Sequence, residues 1–539
     1  MKDLSSLLHS PTAVQWQQIG IKDHHGIAIP LFSIHSHHSY GVGEYTDLPP
    51  LIDWCASIGF DVIQLLPLND TGLGKSPYSA LSAFALNPLF IGLDALPEVQ
   101  TDPYLKERLQ SLPKCSKTPL VDYTKVRQHK DSFLHDYFRL YGLKTIESQE
   151  FNAFFVEAQS WLKGYAVFKI LKEKHHQQNW EEWPETDRQS PPDLLDSIMQ
   201  EYEEEFNYIC FLQFLCDHQF KKAKAHANDQ HVLLMGDIPI LIGRDSADVW
   251  LHQELFNLNF SAGAPPDYFI ETGQNWGFPI YNWDAMETHH FCWWNERLRW
   301  ASRHYHMYRI DHIVGFFRIW SIPLGKSAKE GTFIPEEESL WIDHGQKILL
   351  MMIQASVMLP IGEDLGVVPP EVKKCLATLG ICGTRVMRWE RNWNSDRSFI
   401  LPQDYDIESM TTLSTHDTET LQQWWRDHPE EAQLFAESKG WSYDLPLSRD
   451  HLKEILFDSH HSNSLFHINP LQEYLGLIPG LSWENPDHER INIPGLDLEN
   501  NWSYRLKPSI EELEKQADLK YLIQQLIAPC RVDRLHNLR

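Results

Sequence analysis

Eight short apolar runs punctuate the chain, most of them carrying polar or charged residues toward their ends. They are GIAIPLFSIH (26–35), DVIQLLPLND (61–70), HVLLMGDIPI (231–240), MYRIDH (307–312), VMLPIGEDLG (357–366), CGTRVMRW (382–389), MTTLSTHD (410–417) and SLFHINPL (464–471). Apolar runs this short and this continuous read as strands buried on both faces, which means parallel sheet. Helical periodicity fills most of the intervals, as in ESLWIDHGQKILLMMIQA and TETLQQWWRDHPEEAQLFAESK. Eight strand–helix units predict an α/β fold, a (β/α)8 TIM barrel with inserted, mostly helical subdomains.

The interval between the second and third runs is long. Its charged, amphipathic sequence, such as FNAFFVEAQSWLKGYAVFKILKEKHHQQNW, predicts a helical insertion subdomain over 97–230. A second insertion, 250–285, is rich in Pro, Gly and aromatic residues and reads as a loop. Following the third strand, it is expected at the C-terminal mouth of the barrel, where active sites are built. No internal repeat and no low-complexity linker divides the sequence, so 1–539 reads as one catalytic barrel domain carrying these insertions.

Charge narrows the partners. The formal net charge is −27, a field that repels phosphate backbones and anionic lipid surfaces. Nucleic acid and membrane partners are therefore not expected, whereas neutral sugars are compatible with it. The 20 Trp residues point weakly the same way, because an indole face stacks on a sugar ring; most Trp are nonetheless expected in the core. Eight Cys are scattered without a C-x-x-C pair, a reduced pattern that suggests a cytoplasmic setting. The N-terminal MKDLSSLLHSPTAVQWQQ has no secretory character, and the most apolar stretch, 349–361, is too short to span a bilayer.

Candidate chemistry lies at the strand ends. Asp311 in YRIDH, Glu363 in GEDLG and Asp417 in STHD each close a candidate strand, and in a barrel these ends converge on one mouth. Paired carboxylates there suit glycoside cleavage: one protonates the leaving oxygen, and the other attacks the anomeric carbon or activates water. Arg309 stands two residues before Asp311, hence on the same side of a strand. A guanidinium there favours the charged form of Asp311, which a nucleophile needs. Acidic neighbours around Glu363 are expected to raise its pKa, which a general acid needs.

With these residues in view, the chain resembles the amylomaltases, or disproportionating enzymes, of glycoside hydrolase family 77, within the α-amylase superfamily. The matching segments are GKSPYSALSAFALNPLFI (74–91), GDIPILIGRDSADVW (236–250), GAPPDYFIETGQNWGFPIYNWDAM (263–286), YRIDHIVGFFRIW (308–320), GEDLGVVPPEV (362–372) and STHDTETLQQWW (414–425). A weaker match runs through LQEYLGL, INIPGL and NWSYRL, so the likeness covers roughly 25–510. The resemblance implies a 4-α-glucanotransferase acting on maltooligosaccharides, glycogen or another α-1,4-glucan. It implies Asp311 as nucleophile, Glu363 as acid/base and Asp417 as the third carboxylate that stabilises the transition state. Arg309 then supports the nucleophile, His416 contacts sugar hydroxyls, and Tyr78 and Trp276 are aromatic neighbours of the sugar sites. No cofactor or metal is implied.

The chain departs from the common family pattern in two places. Ile313 and Val314 replace Phe-Arg after RIDH, and Thr418 replaces Asn after THD. These variants resemble the branch that includes plant cytosolic disproportionating enzymes, whose N-terminal starch-binding modules have no expected counterpart here. They leave the preferred donor and acceptor open.

The residues alone also leave open whether water or a sugar takes the glycosyl unit. An amylase-type hydrolase and a catalytically silent glucan-binding protein are the alternatives to the transferase. The aromatic and proline cluster Pro265, Pro266, Tyr268, Phe269, Trp276, Phe278 and Tyr281 is a candidate cover that excludes water. His35-Ser36-His37-His38 lacks metal-site spacing and reads as mouth or surface loop. Gly74-Lys75-Ser76 lacks the upstream Gly of a P-loop, since Asn69 stands there and Pro77 follows.

Overall fold

Each of the eight runs forms a strand in a computed structural model, which describes residues 4–528 except 116, 267–270, 394 and 497. We label them β1 (His24–Ile29), β2 (Val62–Leu65), β3 (Leu233–Ile238), β4 (Met307–Ile310), β5 (Leu359–Gly362), β6 (Gly383–Val386), β7 (Ser409–Thr412) and β8 (Phe466–Pro470). Neighbours in sequence pair in parallel, and β8 pairs with β1. A parallel bridge, Ile361 to Cys382, brings β5 against β6 and closes the ring. The expected (β/α)8 barrel is the observed fold.

Continuous apolar runs were required because each strand faces two cores. Met307 points into the barrel with Val62, Met235, Leu359, Ile361, Met410 and Phe466. Tyr308 and Ile310 point outward into the core beneath the surrounding helices. The two-residue period then carries Arg309 and Asp311 along the inward face toward the mouth. Gly26 is needed where β1 meets β2, because a Cβ there would lie 2.1 Å from the Val62 carbonyl oxygen.

The opposite end is closed by the N-terminal segment. Leu4, Leu7, Trp16 and Ile19 extend the interior core. Trp16 is fully buried, packs on Phe466 at 5.9 Å between ring centroids, and donates to the Gly380 carbonyl at 2.9 Å. Trp16→Ala is expected to cost about 3–5 kcal/mol, the range for truncating a buried Trp. Urea denaturation measures it, and a loss below about 1 kcal/mol contradicts this packing role.

Between β2 and β3 run the helices Pro103–Ser111, Tyr123–Ile146, Gln149–Glu157, Leu162–Lys174, Glu185–Arg188, Pro192–Glu201 and Glu203–Asp229. The stretch read as a loop after β3 contains short antiparallel strands. Phe260–Ala264 pairs with Gln274–Asn275 on one side and with Ile319–Pro323, which follows β4, on the other. Phe256–Asn257 pairs with Ile280–Tyr281. The ribbon is anchored where the Tyr281 hydroxyl donates to the Ile240 carbonyl, 2.8 Å away, just past β3. Among the described residues, no helix is long and apolar enough to cross a membrane.

Candidate active site

Arg309 organises the mouth. The β3–β4 register sets it beside Asp237, and the β4–β5 register sets it beside Ile361. Its Nη1 donates to Asp237 Oδ2 at 2.8 Å and to Asp311 Oδ1 at 2.9 Å, while Nη2 lies 3.8 Å from Glu363 Oε2. One guanidinium therefore borders three carboxylates. Burial disfavours its charge, and Asp237 and Asp311 more than restore it, leaving its pKa well above the ordinary value.

The RIDH turn then aims Glu363. His312 adopts the left-handed conformation, φ 48° and ψ 51°, a cost on the order of 1–3 kcal/mol for a non-glycine residue. In that conformation its N–H donates to Glu363 Oε2 at 2.8 Å, and Leu365 N–H donates to Oε1 at 3.1 Å. The next residue, Asp364, turns the other way, accepting from Thr384 N–H at 2.7 Å and from Arg385 at 3.1 Å. GEDLG is thus one carboxylate for the mouth and one that pins β5 to β6.

Glu363 is pushed up to about 8. Burial is the largest cause, opposed by Arg309 and reinforced by Asp311. The neighbouring charge expected from the sequence contributes, but desolvation leads.

Asp417 has the opposite character. Its side chain is 43% exposed toward solvent. Its Oδ1 accepts from Asn492 Nδ2 at 2.6 Å, and Oδ2 lies 3.3 Å from His416 Nε2. Desolvation works against its charge, yet His416, Asn492 and Arg309 outweigh it and hold the carboxyl down at about 2. His416 is buried and pushed upward: burial opposes its charge and Asp417 favours it.

Tyr78 joins the two sides. Its hydroxyl donates to Asp237 Oδ2 at 2.8 Å and lies 2.9 Å from His416 Nε2. Its ring stacks on His416 at 5.3 Å, and Trp502 packs against both rings at 5.6 and 5.9 Å. Trp276 meets the His312 ring edge-to-face at 5.0 Å. All seven residues singled out from the sequence thus lie on connected elements of one mouth. Of the proposed cover, Trp276 and Phe278 are partly exposed, whereas Tyr281 is buried among Phe256, Trp293 and Trp294, inside the ribbon. Tyr268 and Phe269 lie outside the described residues.

Asp237, Asn492 and Trp502 had no role assigned from the sequence. Asp237 lies inside the apolar run HVLLMGDIPI, one residue before the end of β3, whereas the carboxylates singled out from the sequence follow their strands. Asn492 and Trp502 lie in a segment with no periodicity at all. The His35–His38 segment disperses: His35 bonds the Leu506 carbonyl, His38 bonds Asp94, and His37 N–H donates to Glu511.

The sequence profile of glycoside hydrolase family 77, described as 4-alpha-glucanotransferase, matches residues 29–511. The chain belongs to this 4-alpha-glucanotransferase family. It is similar to the 4-alpha-glucanotransferase of Chlamydia pneumoniae, with 45% identity over 530 residues, covering 98% of this chain and 99% of that protein. A 4-alpha-glucanotransferase of Oryza sativa is 28% identical, covering 93% of this chain and 69% of the rice protein. The amylomaltase of Streptococcus agalactiae, solved in complex with acarbose, shares the fold: TM-score 0.81 at 24% identity, over 94% of this chain and 98% of that one. The departures of this 4-alpha-glucanotransferase family member at Ile313 and Val314 fall in a buried turn just beyond β4. Thr418 closes a tight turn, accepting from Thr415 N–H at 2.9 Å.

Proposed function

We propose that the chain cuts an α-1,4-glucan by retaining double displacement and passes the glycosyl or glucanosyl unit to the 4-hydroxyl of glucose, a maltooligosaccharide or glycogen. One observation carries this reading. A single guanidinium borders Asp311 and Glu363, with Glu363 held protonated near neutrality while Asp417 beside them stays ionised.

Asp311 attacks the anomeric carbon, and the bond to the leaving O4 breaks as Glu363 delivers its proton there. The glycosyl unit is then an ester of Asp311. Glu363, now a carboxylate, takes the proton of the incoming 4-hydroxyl as that oxygen displaces Asp311. Arg309 fixes Asp311 in direction through the 2.9 Å hydrogen bond from its Nη1. Asp417 and His416 bind ring hydroxyls most strongly as the ring flattens toward an oxocarbenium ion, so they favour the transition state over the bound sugar. Tyr78 and Trp276 flank the sugars. The ribbon carrying Trp276 supports transfer over hydrolysis by limiting water at the ester.

The pH–rate profile of transfer from maltotriose tests the acid. Glu363 must carry its proton, so the basic limb of the profile falls near pH 8 and activity is lost as pH rises through that value. Above it, kcat/KM is expected to fall about tenfold per pH unit. A profile flat to pH 10, or a basic limb near pH 6, contradicts the assignment.

Two broader features belong to the same reading. The chain works as one catalytic barrel domain over 1–539, with 97–230 as a helical insertion and 250–285 as an insertion at the mouth. The described cysteines, all free thiols, support a reducing, cytoplasmic setting.

A further inference from the structure

Asp417 sits on an irregular loop beyond β7, yet a transition-state carboxylate must be held within a fraction of an ångström. Something outside the loop has to fix it. The segment 489–492, more than seventy residues further along the chain, meets it there. Arg490, with its side chain only 11% exposed, donates three ways. Nη2 reaches the Asp417 carbonyl at 3.1 Å, Nε reaches the Asn492 carbonyl at 2.7 Å, and Nη1 lies 2.8 Å from Glu419 Oε1. Glu419 in turn accepts from Arg388 Nη2 at 3.1 Å on Oε2, and its carbonyl accepts from Arg388 Nη1 at 3.3 Å. Arg388 is itself buried just beyond β6, against the Trp424 ring.

The same segment is tied to the other wall of the site. Trp502 N–H donates to the Ile491 carbonyl at 2.8 Å, and Trp502 packs on Tyr78 and His416. Glu489 accepts from the Tyr504 hydroxyl and from Trp483 N–H, both at 2.6 Å. The segment is thus anchored independently before it reaches Asp417.

We propose that Glu419 and Arg490 are positioning residues, a clamp through which the 489–492 segment and the end of β6 fix the orientation of Asp417. Their side chains bond Asp417, Asn492, Arg388 and each other, not Asp311 or Glu363. Their effect passes through the Asp417 main chain and, by way of the Asn492 carbonyl, through the amide that bonds its carboxylate. A planar guanidinium with several donors suits this three-way contact, and a Lys ammonium cannot reproduce it. The proposal rests on the role assigned above to Asp417.

The test is kinetic. Glu419→Gln keeps the shape but removes the charge between two arginines. It is expected to lower kcat for maltotriose transfer about 10–100-fold, the scale for small misplacements of a catalytic group, with KM changed less than about threefold. Arg490→Lys is expected to give the same split, and serves if the first variant folds poorly. The decisive comparison repeats Glu419→Gln in an Asp417→Asn background, using α-glucosyl fluoride as an activated donor so that residual rates are measurable. If the clamp acts through Asp417, the second substitution there costs less than about twofold, because the two effects share one cause. A kcat for Glu419→Gln within threefold of the parent overturns the proposal. So does an undiminished loss in the Asp417→Asn background. Full activity of Asp417→Asn alone overturns the role assigned to Asp417, whereas a large loss in Asp417→Asn with none in Glu419→Gln overturns the clamp only.

Discussion

Asp311→Asn is expected to lower kcat for glucan transfer about 10^4-fold or more, the scale seen when a covalent nucleophile is removed. The amide oxygen can still accept from Arg309 Nη1, which lies 2.9 Å from the carboxylate now, so the fold and the substrate pocket stay intact. What goes is the negative oxygen that forms the ester. Substrate affinity is therefore expected to change far less than kcat. No fluorosugar trap should add mass to the variant, whereas the parent should gain one glycosyl unit. A variant within tenfold of the parent rate would remove Asp311 from the role of nucleophile.

Glu363→Gln separates the two halves of the reaction. With maltotriose, kcat is expected to fall about 10^2–10^4-fold, since general acid–base assistance is worth that much. With α-glucosyl fluoride the first step needs little protonation, so formation of the ester should survive and its breakdown should become limiting. Azide, which needs no base to attack, should restore turnover and yield an α-glycosyl azide. The variant's pH profile should also lose the basic limb near 8, because the group responsible is gone. If the activated donor reacts as slowly as maltotriose and azide does nothing, Glu363 is not the acid/base.

The barrel was legible because its strands are squeezed between two apolar cores. Met307, Tyr308 and Ile310 are all buried although they face opposite ways, and such strands cannot hide as alternating patterns. Arg309 and Asp311 were legible for a related reason: a period of two puts both on the inward face. Tyr281 was read as part of a cover because aromatic density does not say which side of a ribbon a ring faces. The short strands around it escaped notice because each has two to five residues, and because Phe260–Ala264 pairs with Ile319–Pro323, far along the chain. Arg490 left no local signal, and Asn492 only its place in the weakly matching INIPGL. Their meaning arises only when the fold sets them against Asp417. The Trp count was chiefly about packing, since Trp16, Trp54, Trp180, Trp250, Trp294 and Trp425 are among the largest fully buried side chains.

The central claim is that a glycosyl unit held on Asp311 goes to sugar rather than to water. Incubating the purified protein with maltotriose and separating products over time tests it most directly. The account predicts a ladder of longer maltooligosaccharides, glucose released from the start, and little gain in total reducing ends. Glucose and maltose alone, with reducing ends rising in step and no chain longer than the substrate, would contradict it.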